Sequence, residues 1–182
     1  MTLDELKSRH SALLAARYSG TRSVSFDGKT VNYGTDAELA AAEHIAIQHP
    51  RDLVTIKLAQ YHHFNLGDAT AMLRLGLRAL PACDDQPYVH GMIAFGYEQC
   101  HLMDAAETSA RRALDIEPSD PWAHHALAHV MLTQNRVDEG ITFLESVAPM
   151  WAGLNSFMRS HNWWHMALFY SKPPPRAAVR RP

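Results

Sequence analysis

The sequence predicts a mostly α-helical chain that is built from repeated helix pairs and begins with a small module containing a β-hairpin. Three observations predict this architecture. Residues recur at a spacing of 34 beyond residue 53, an Asp-Gly pair separates two alternating stretches near the N-terminus, and prolines stand at or just before the start of successive helical segments. The composition, with 47% apolar and 20% charged residues, is typical of a globular chain.

Residues 1–49 are predicted to form a helix, a hairpin and a second helix. The leucines of "LDELKSRHSALLAARYSG" have roughly helical spacing, and the following "SVSFDGKTVNYG" alternates between apolar and polar residues. The Asp27-Gly28 pair predicts a two-residue turn, because both turn positions need positive φ, and such a turn places Val24 opposite Val31. Since two strands alone are marginally stable in water, we expect the hairpin to lie against the helices.

A repeat of 34 residues begins near Leu53. The recurring sets are Ala59, Ile93 and Leu127; Gly67, His101 and Asn135; Met72, Ala106 and Gly140; and Ala79, Ala113 and Val147. Small residues at fixed places in two antiparallel helices allow close packing, and this period is that of the tetratricopeptide repeat. We therefore predict a tetratricopeptide-type α-helical solenoid over 50–170. It has three repeats, at 53–86, 87–120 and 121–154, and a partial fourth whose first helix spans about 158–170.

Two family resemblances refine this prediction. The stretches "LAQYHHFNLGDA", "GMIAFGYEQC", "AETSARRALDIEPSDPWAHHALAHVM", "EGITFLES" and "SHNWWHMALF" resemble the tetratricopeptide repeat protein 38 family over about 49–170. That family implies a helical repeat fold and supplies no reaction to carry over. The stretch "SGTRSVSFDGKTVNYGTDAELAAA" resembles the gpW family of phage head–tail joining proteins over about 1–42, which implies a helix–hairpin–helix module.

Composition and termini exclude several classes of protein. A formal net charge of −2 gives no electrostatic footprint for nucleic acid, and the apolar runs are too short to cross a membrane. The N-terminus lacks the pattern of a signal peptide, so a cytoplasmic location is expected.

The end of the chain, "SKPPPRAAVRRP", is predicted to be a disordered tail over 171–182, because three consecutive prolines cannot continue a helix. An uncapped solenoid end would then favour self-association.

Four of the twelve histidines form two helical pairs. His125 and His129 are four residues apart, as are His161 and His165, and the two pairs are separated by one repeat plus two residues. We expect the first helices of neighbouring repeats to bring these imidazoles to one concave wall. Glu98, on the preceding first helix, can face the same groove. Four imidazoles and a carboxylate are suitable ligands for zinc, iron or another borderline divalent ion. Residue 162 is Asn, so the general base of an HExxH metalloprotease is absent.

Alternative interpretations of the same wall remain open. The histidines can serve as polar packing residues or contact a peptide, and Tyr61, Phe95, Glu98 and Trp164 are predicted to line the groove beside them. No GxSxG sequence or phosphate-binding loop occurs. The sequence therefore favours a non-enzymatic scaffold that binds a protein or peptide. Phage head–tail joining and metal binding by the two histidine pairs are the alternatives.

Overall fold

The computed structural model describes residues 44–171 in full and the backbone of 23–26 and 29–32. Strands β1 (Ser23–Phe26) and β2 (Lys29–Asn32) pair antiparallel with Val24 opposite Val31, which is the predicted register. Apart from residues 44–48, which are helical, the helices predicted on either side of the hairpin lie outside the described residues. The tail predicted to be disordered, 171–182, lies outside them except for Ser171, which is helical, so the last helix runs one residue past the predicted boundary.

Helices α1 to α7 and a 3₁₀ helix make up the rest of the described chain. They are α1 (Leu53–Leu66), α2 (Ala69–Cys83), α3 (Pro87–Gln99), α4 (Met103–Ile116), α5 (Pro121–Thr133), α6 (Val137–Val147), the 3₁₀ helix Ala148–Gly153, and α7 (Ser156–Ser171). Helices α1, α3 and α5 start 34 residues apart, and so do α2, α4 and α6. Consecutive helices pack together, and α5 also contacts both α3 and α7. The predicted solenoid, with three helix pairs and the first helix of a fourth, is confirmed.

The helix starts follow from capping residues in the sequence. Asp52, Asp68 and Asp120 accept hydrogen bonds from backbone N–H groups in the first turns of α1, α2 and α5. Proline occupies the first position of α3 and of α5, where its missing N–H has no helical partner to lose.

The first helix of each pair ends at a left-handed residue. Gly67, His101 and Asn135 have φ values of 76°, 57° and 59° and stand one repeat apart, so this recurring set in the sequence marks a turn. Glycine adopts this conformation freely, whereas a residue with a side chain does so at a cost of roughly 1–2 kcal/mol. The helix-to-helix turn is thus conserved in shape between repeats although its residue type changes.

Small residues let the helices approach closely. Ala79 and Ala113, one repeat apart, are 2% and 0% exposed. At the C-terminal end, a β-carbon on Gly140 would lie 2.1 Å from the ring of Phe169, so α6 and α7 touch at this point. This contact docks the fourth first helix onto the third repeat.

Two histidines have a purely structural role that also repeats. The Nε2 atoms of His90 and His124 each lie 2.9 Å from the carbonyl oxygen six positions earlier, in Asp84 and Pro118. His124 also accepts a hydrogen bond at Nδ1 from the indole of the buried Trp151, over 3.1 Å. Both ring nitrogens of His124 are therefore satisfied by the protein.

None of the helices in residues 44–171 combines the length and the apolar character that a membrane span needs.

Candidate functional site

The two predicted histidine pairs meet between α5 and α7. The Nε2 atom of His161 lies 2.9 Å from Nε2 of His125 and 3.1 Å from Nε2 of His165, which in turn lies 3.1 Å from Nε2 of His129. One ring nitrogen from each of the four residues falls within 4.8 Å of all the others. We refer to His125, His129, His161 and His165 as the four-histidine cluster.

The fold brings these rings together in three ways. A spacing of four residues puts each pair on one stripe of its helix, and α5 and α7 are neighbouring first helices in the stack. The second pair follows the first by 36 residues, two more than the repeat, and the 3₁₀ helix between α6 and α7 accommodates these two residues. The buried Asn162 then fixes the register, because its amide donates a hydrogen bond to the carbonyl oxygen of Pro121 over 3.4 Å.

The cluster is buried on one side and open on the other. His125 and His165 are 3% and 2% exposed, whereas His129 and His161 are half-buried. Burial, assisted by the neighbouring imidazoles, holds the pKa of His125 well below its usual value and lowers the pKa of His165 to about 3. Burial also lowers the pKa of His161. These three rings are therefore neutral at pH 7, and each has a nitrogen lone pair available.

Glu98 lies behind the cluster rather than on the groove wall where it was predicted. Its Oε1 atom is 3.0 Å from Nδ1 of His129, and the side chain is buried against α5. Burial alone would raise the pKa of Glu98, but the hydrogen bond and charge attraction from His129 outweigh it and keep that pKa below its usual value. The carboxylate accepts the Nδ1 proton of His129, which leaves Nε2 of this ring free to face the other three.

The aromatic residues predicted to line the groove lie on two sides of the cluster. Phe95 is buried, and its ring centroid is 5.6 Å from that of His125 and 6.3 Å from that of Trp122. Tyr61 packs on the far edge of Trp122 at 6.1 Å. Trp164 belongs to the opposite side, where it stacks on His161 at 5.8 Å and remains 54% exposed.

A cavity of about 320 Å³ opens beside Phe95 and Tyr61, between α1, α3 and the start of α5. Its lining is mostly apolar: Leu53, Val54, Leu58, Tyr88, Met92 and Trp122, with Lys57 and Asp120 as the charged members. We refer to this space as the α1–α3 cavity. The Nζ atom of Lys57 lies 3.8 Å from the ring centroid of Trp122 and 5.0 Å from that of Tyr61.

The charged residues of the α1–α3 cavity were not predicted from the sequence. Asp120 is 1% exposed and caps α5 through Oδ1, while its Oδ2 atom has no hydrogen-bond partner. Burial lowers the pKa of Lys57 to about 8 and raises the pKa of Asp120, although the N–H groups of Trp122 and Ala123 and the charge of Lys57 oppose the second shift. The available signal was a lysine one turn before Tyr61, with Ile56 and Leu58 on either side of it.

The repeated helix pairs and their inner wall define a tetratricopeptide-type scaffold. No protein-family model matches the chain. Among solved structures it is similar to the second TPR domain of the human RPAP3 protein, determined by NMR in complex with the HSP70 peptide SGPTIEEVD. The TM-score is 0.54 at 15% sequence identity, and the match covers 71% of this chain and 99% of that domain. At this identity the similarity shows the fold alone, so both narrower family resemblances stay predictions.

Proposed function

We propose that this tetratricopeptide-type scaffold binds a linear peptide segment of a partner protein, with an apolar side chain of the peptide inserted in the α1–α3 cavity. The observation that carries the proposal is an apolar cavity of about 320 Å³ whose lining combines a partly buried ammonium group with a buried carboxylate. Lys57 and Asp120 supply these groups.

The charged lining also matches what a peptide offers. An acidic side chain next to the inserted residue would pair with the ammonium group of Lys57. The peptide in the solved RPAP3 complex combines isoleucine and valine with acidic residues, which supports this choice of ligand.

The helical wall favours such binding because little of it has to reorganise. Binding is weakened by every loop or side chain that must be ordered, and packed helix pairs supply a largely preformed surface. The resemblance to the tetratricopeptide repeat protein 38 family over 49–170 supports the same class of function, and a cytoplasmic location belongs to the same proposal.

A matched pair of leucines on α1 tests the proposal. Leu58 lines the cavity and is 47% exposed, whereas Leu66 lies at the end of the helix, is 64% exposed and does not line it. Linear peptides are selected from a random phage-displayed library on the wild-type chain, and their affinities are measured by fluorescence anisotropy. We expect Leu58→Glu to weaken binding at least tenfold and Leu66→Glu to leave it unchanged. Equal affinities for the two variants would contradict the proposal.

A second proposal concerns residues 1–42 alone. The antiparallel pairing of β1 and β2 favours the gpW-like module and with it a role in phage head–tail joining. Size-exclusion chromatography with light scattering tests this role. Ring-like oligomers would support it, and a monomer would argue against it.

A further inference from the structure

We propose that the four-histidine cluster is a binding site for a divalent transition metal ion of the zinc class. This site is separate from the peptide-binding cavity, and neither proposal depends on the other. Three observations support the metal site: the positions of the ring nitrogens, the number of hydrogen bonds they can form, and the carboxylate next to one ring.

Three of the contacts between ring nitrogens are close to the ligand spacing of a tetrahedral zinc site. Zinc–nitrogen bonds of about 2.0–2.1 Å place neighbouring ligand nitrogens about 3.3 Å apart. In the cluster, the three contacts between Nε2 atoms measure 2.9, 3.1 and 3.1 Å. The longer separations in the cluster extend to 4.8 Å, so the two ends of the row must approach each other by about 1.5 Å to reach the tetrahedral zinc geometry. Rotation of the half-buried His129 and His161 rings would provide this movement.

Hydrogen bonds between the rings do not explain the arrangement. A neutral imidazole nitrogen has one in-plane position, which holds either a proton or a lone pair. The Nε2 atoms of His161 and His165 each face two other Nε2 atoms, so at most two of the three contacts in the row can be hydrogen bonds. An ion at the common point would accept all four lone pairs at once.

The cluster also differs from the structural histidines of the same chain. Both ring nitrogens of His124 have protein partners. In contrast, the buried Nδ1 atoms of His125 and His165 have none, and their Nε2 atoms meet only other imidazoles. The polar contacts of these two rings therefore lie entirely within the cluster, at the Nε2 atoms where an ion would bind.

Glu98 supplies the supporting interaction that histidine metal sites use. Its carboxylate accepts the Nδ1 proton of His129 and so fixes the tautomer whose Nε2 lone pair points into the cluster. The donor set found here is four imidazoles, with no carboxylate or thiolate among them. Imidazole suits zinc, copper, nickel and iron(II) rather than magnesium or calcium, which take oxygen ligands.

The position of the ligands gives the ion a definite effect on the fold. His125 and His129 belong to α5, whereas His161 and His165 belong to α7, so one ion would cross-link the third repeat to the helix that follows it. The half-buried His129 and His161 leave the site open on one side for the ion to enter.

Zinc retention by the untagged chain tests the site. The protein is stripped with a chelator, given excess zinc, desalted and analysed for metal by mass spectrometry. We expect about one zinc ion per chain in the wild type and a loss of at least 100-fold in affinity for the double variant His129→Gln/His161→Gln. His129 and His161 are chosen because they are half-buried, so their substitution should disturb the fold less than substitution of the buried His125 and His165. The control His44→Gln/His49→Gln removes two exposed imidazoles outside the cluster and should retain zinc fully.

Cobalt(II) binding to the wild type provides a second test that needs no variant. A visible absorption band typical of four-coordinate cobalt, reaching its maximum at one equivalent, would support the site. Absence of zinc retention and of this band in the wild type would overturn the proposal. Zinc retention by a folded His129→Gln/His161→Gln chain would do so as well.

Discussion

The Nδ1 atom of His129 and the Oε1 atom of Glu98 lie 3.0 Å apart and join two neighbouring first helices of the solenoid. This contact fixes which nitrogen of His129 carries the proton. In metal sites, loss of such a supporting carboxylate typically weakens metal binding 10- to 100-fold. We expect Glu98→Gln to keep the fold and to lower zinc affinity by about that factor, as measured by competition with a chromophoric chelator. Unchanged affinity would mean that the carboxylate does not orient the ring.

The ion pair between Glu107 and Arg136 predicts a pH-dependent contribution to stability. The hydrogen bond from Arg136, with Arg111 adding to it, lowers the pKa of Glu107 to about 2. Because the folded-state pKa lies below the usual 4.5, the stabilisation is complete above pH 4.5 and is lost as the pH falls toward 2. We expect Glu107→Gln to reduce the free energy of unfolding by about 0.5–1 kcal/mol at pH 7.

Urea unfolding at pH 7, 5 and 3 measures the Glu107 effect. The difference between wild type and Glu107→Gln should shrink as the pH is lowered from 5 to 3. A difference that is the same at all three values would show that the carboxylate charge does not contribute.

The contact of Gly140 with Phe169 predicts that α7 is sensitive to one methyl group on α6. A β-carbon on Gly140 would lie 2.1 Å from the phenyl ring, whereas a β-carbon on Gly153 would have no neighbour within 4 Å. We expect Gly140→Ala to lower the free energy of unfolding by about 1–3 kcal/mol despite the better helix propensity of alanine. Gly153→Ala should have little effect. Thermal unfolding compares the two variants, and equal melting temperatures would contradict the packing described for α7.

The buried ammonium group of Lys57 predicts a pH dependence of peptide binding. Burial lowers its pKa to about 8, so the positive charge that would attract an acidic peptide disappears as the pH rises through that value. For an acidic peptide selected on the wild type, we expect about tenfold weaker binding at pH 9 than at pH 7. This factor corresponds to the loss of about one hydrogen bond to a charged group. Anisotropy titrations of Lys57→Met should show weak binding at both values. The same pH profile in wild type and Lys57→Met would exclude Lys57 from the site.

The repeat and the histidine pairs could be predicted from the sequence because both depend on spacing. A constant interval of 34 residues places equivalent helices in register, and an interval of four puts His161 and His165 on one stripe. Glu98 could be predicted to lie near the histidines, but its burial and its contact with Nδ1 of His129 could not, since they depend on the rotation of α3 against α5. The position of Asp120 in the lining of the α1–α3 cavity could not be predicted for a different reason. A residue before Pro121 is expected to cap a helix, and only the packing of α1 shows that Asp120 also lines an apolar cavity.

X-ray absorption at the zinc edge, on the untagged chain loaded with one equivalent of zinc, tests most directly whether the repeat gathers four imidazoles around one point. We predict four nitrogen neighbours at about 2.0–2.1 Å, with the outer-shell scattering of imidazole rings. A first shell dominated by oxygen or sulfur, or one with fewer than three imidazoles, would contradict a four-histidine centre in this protein.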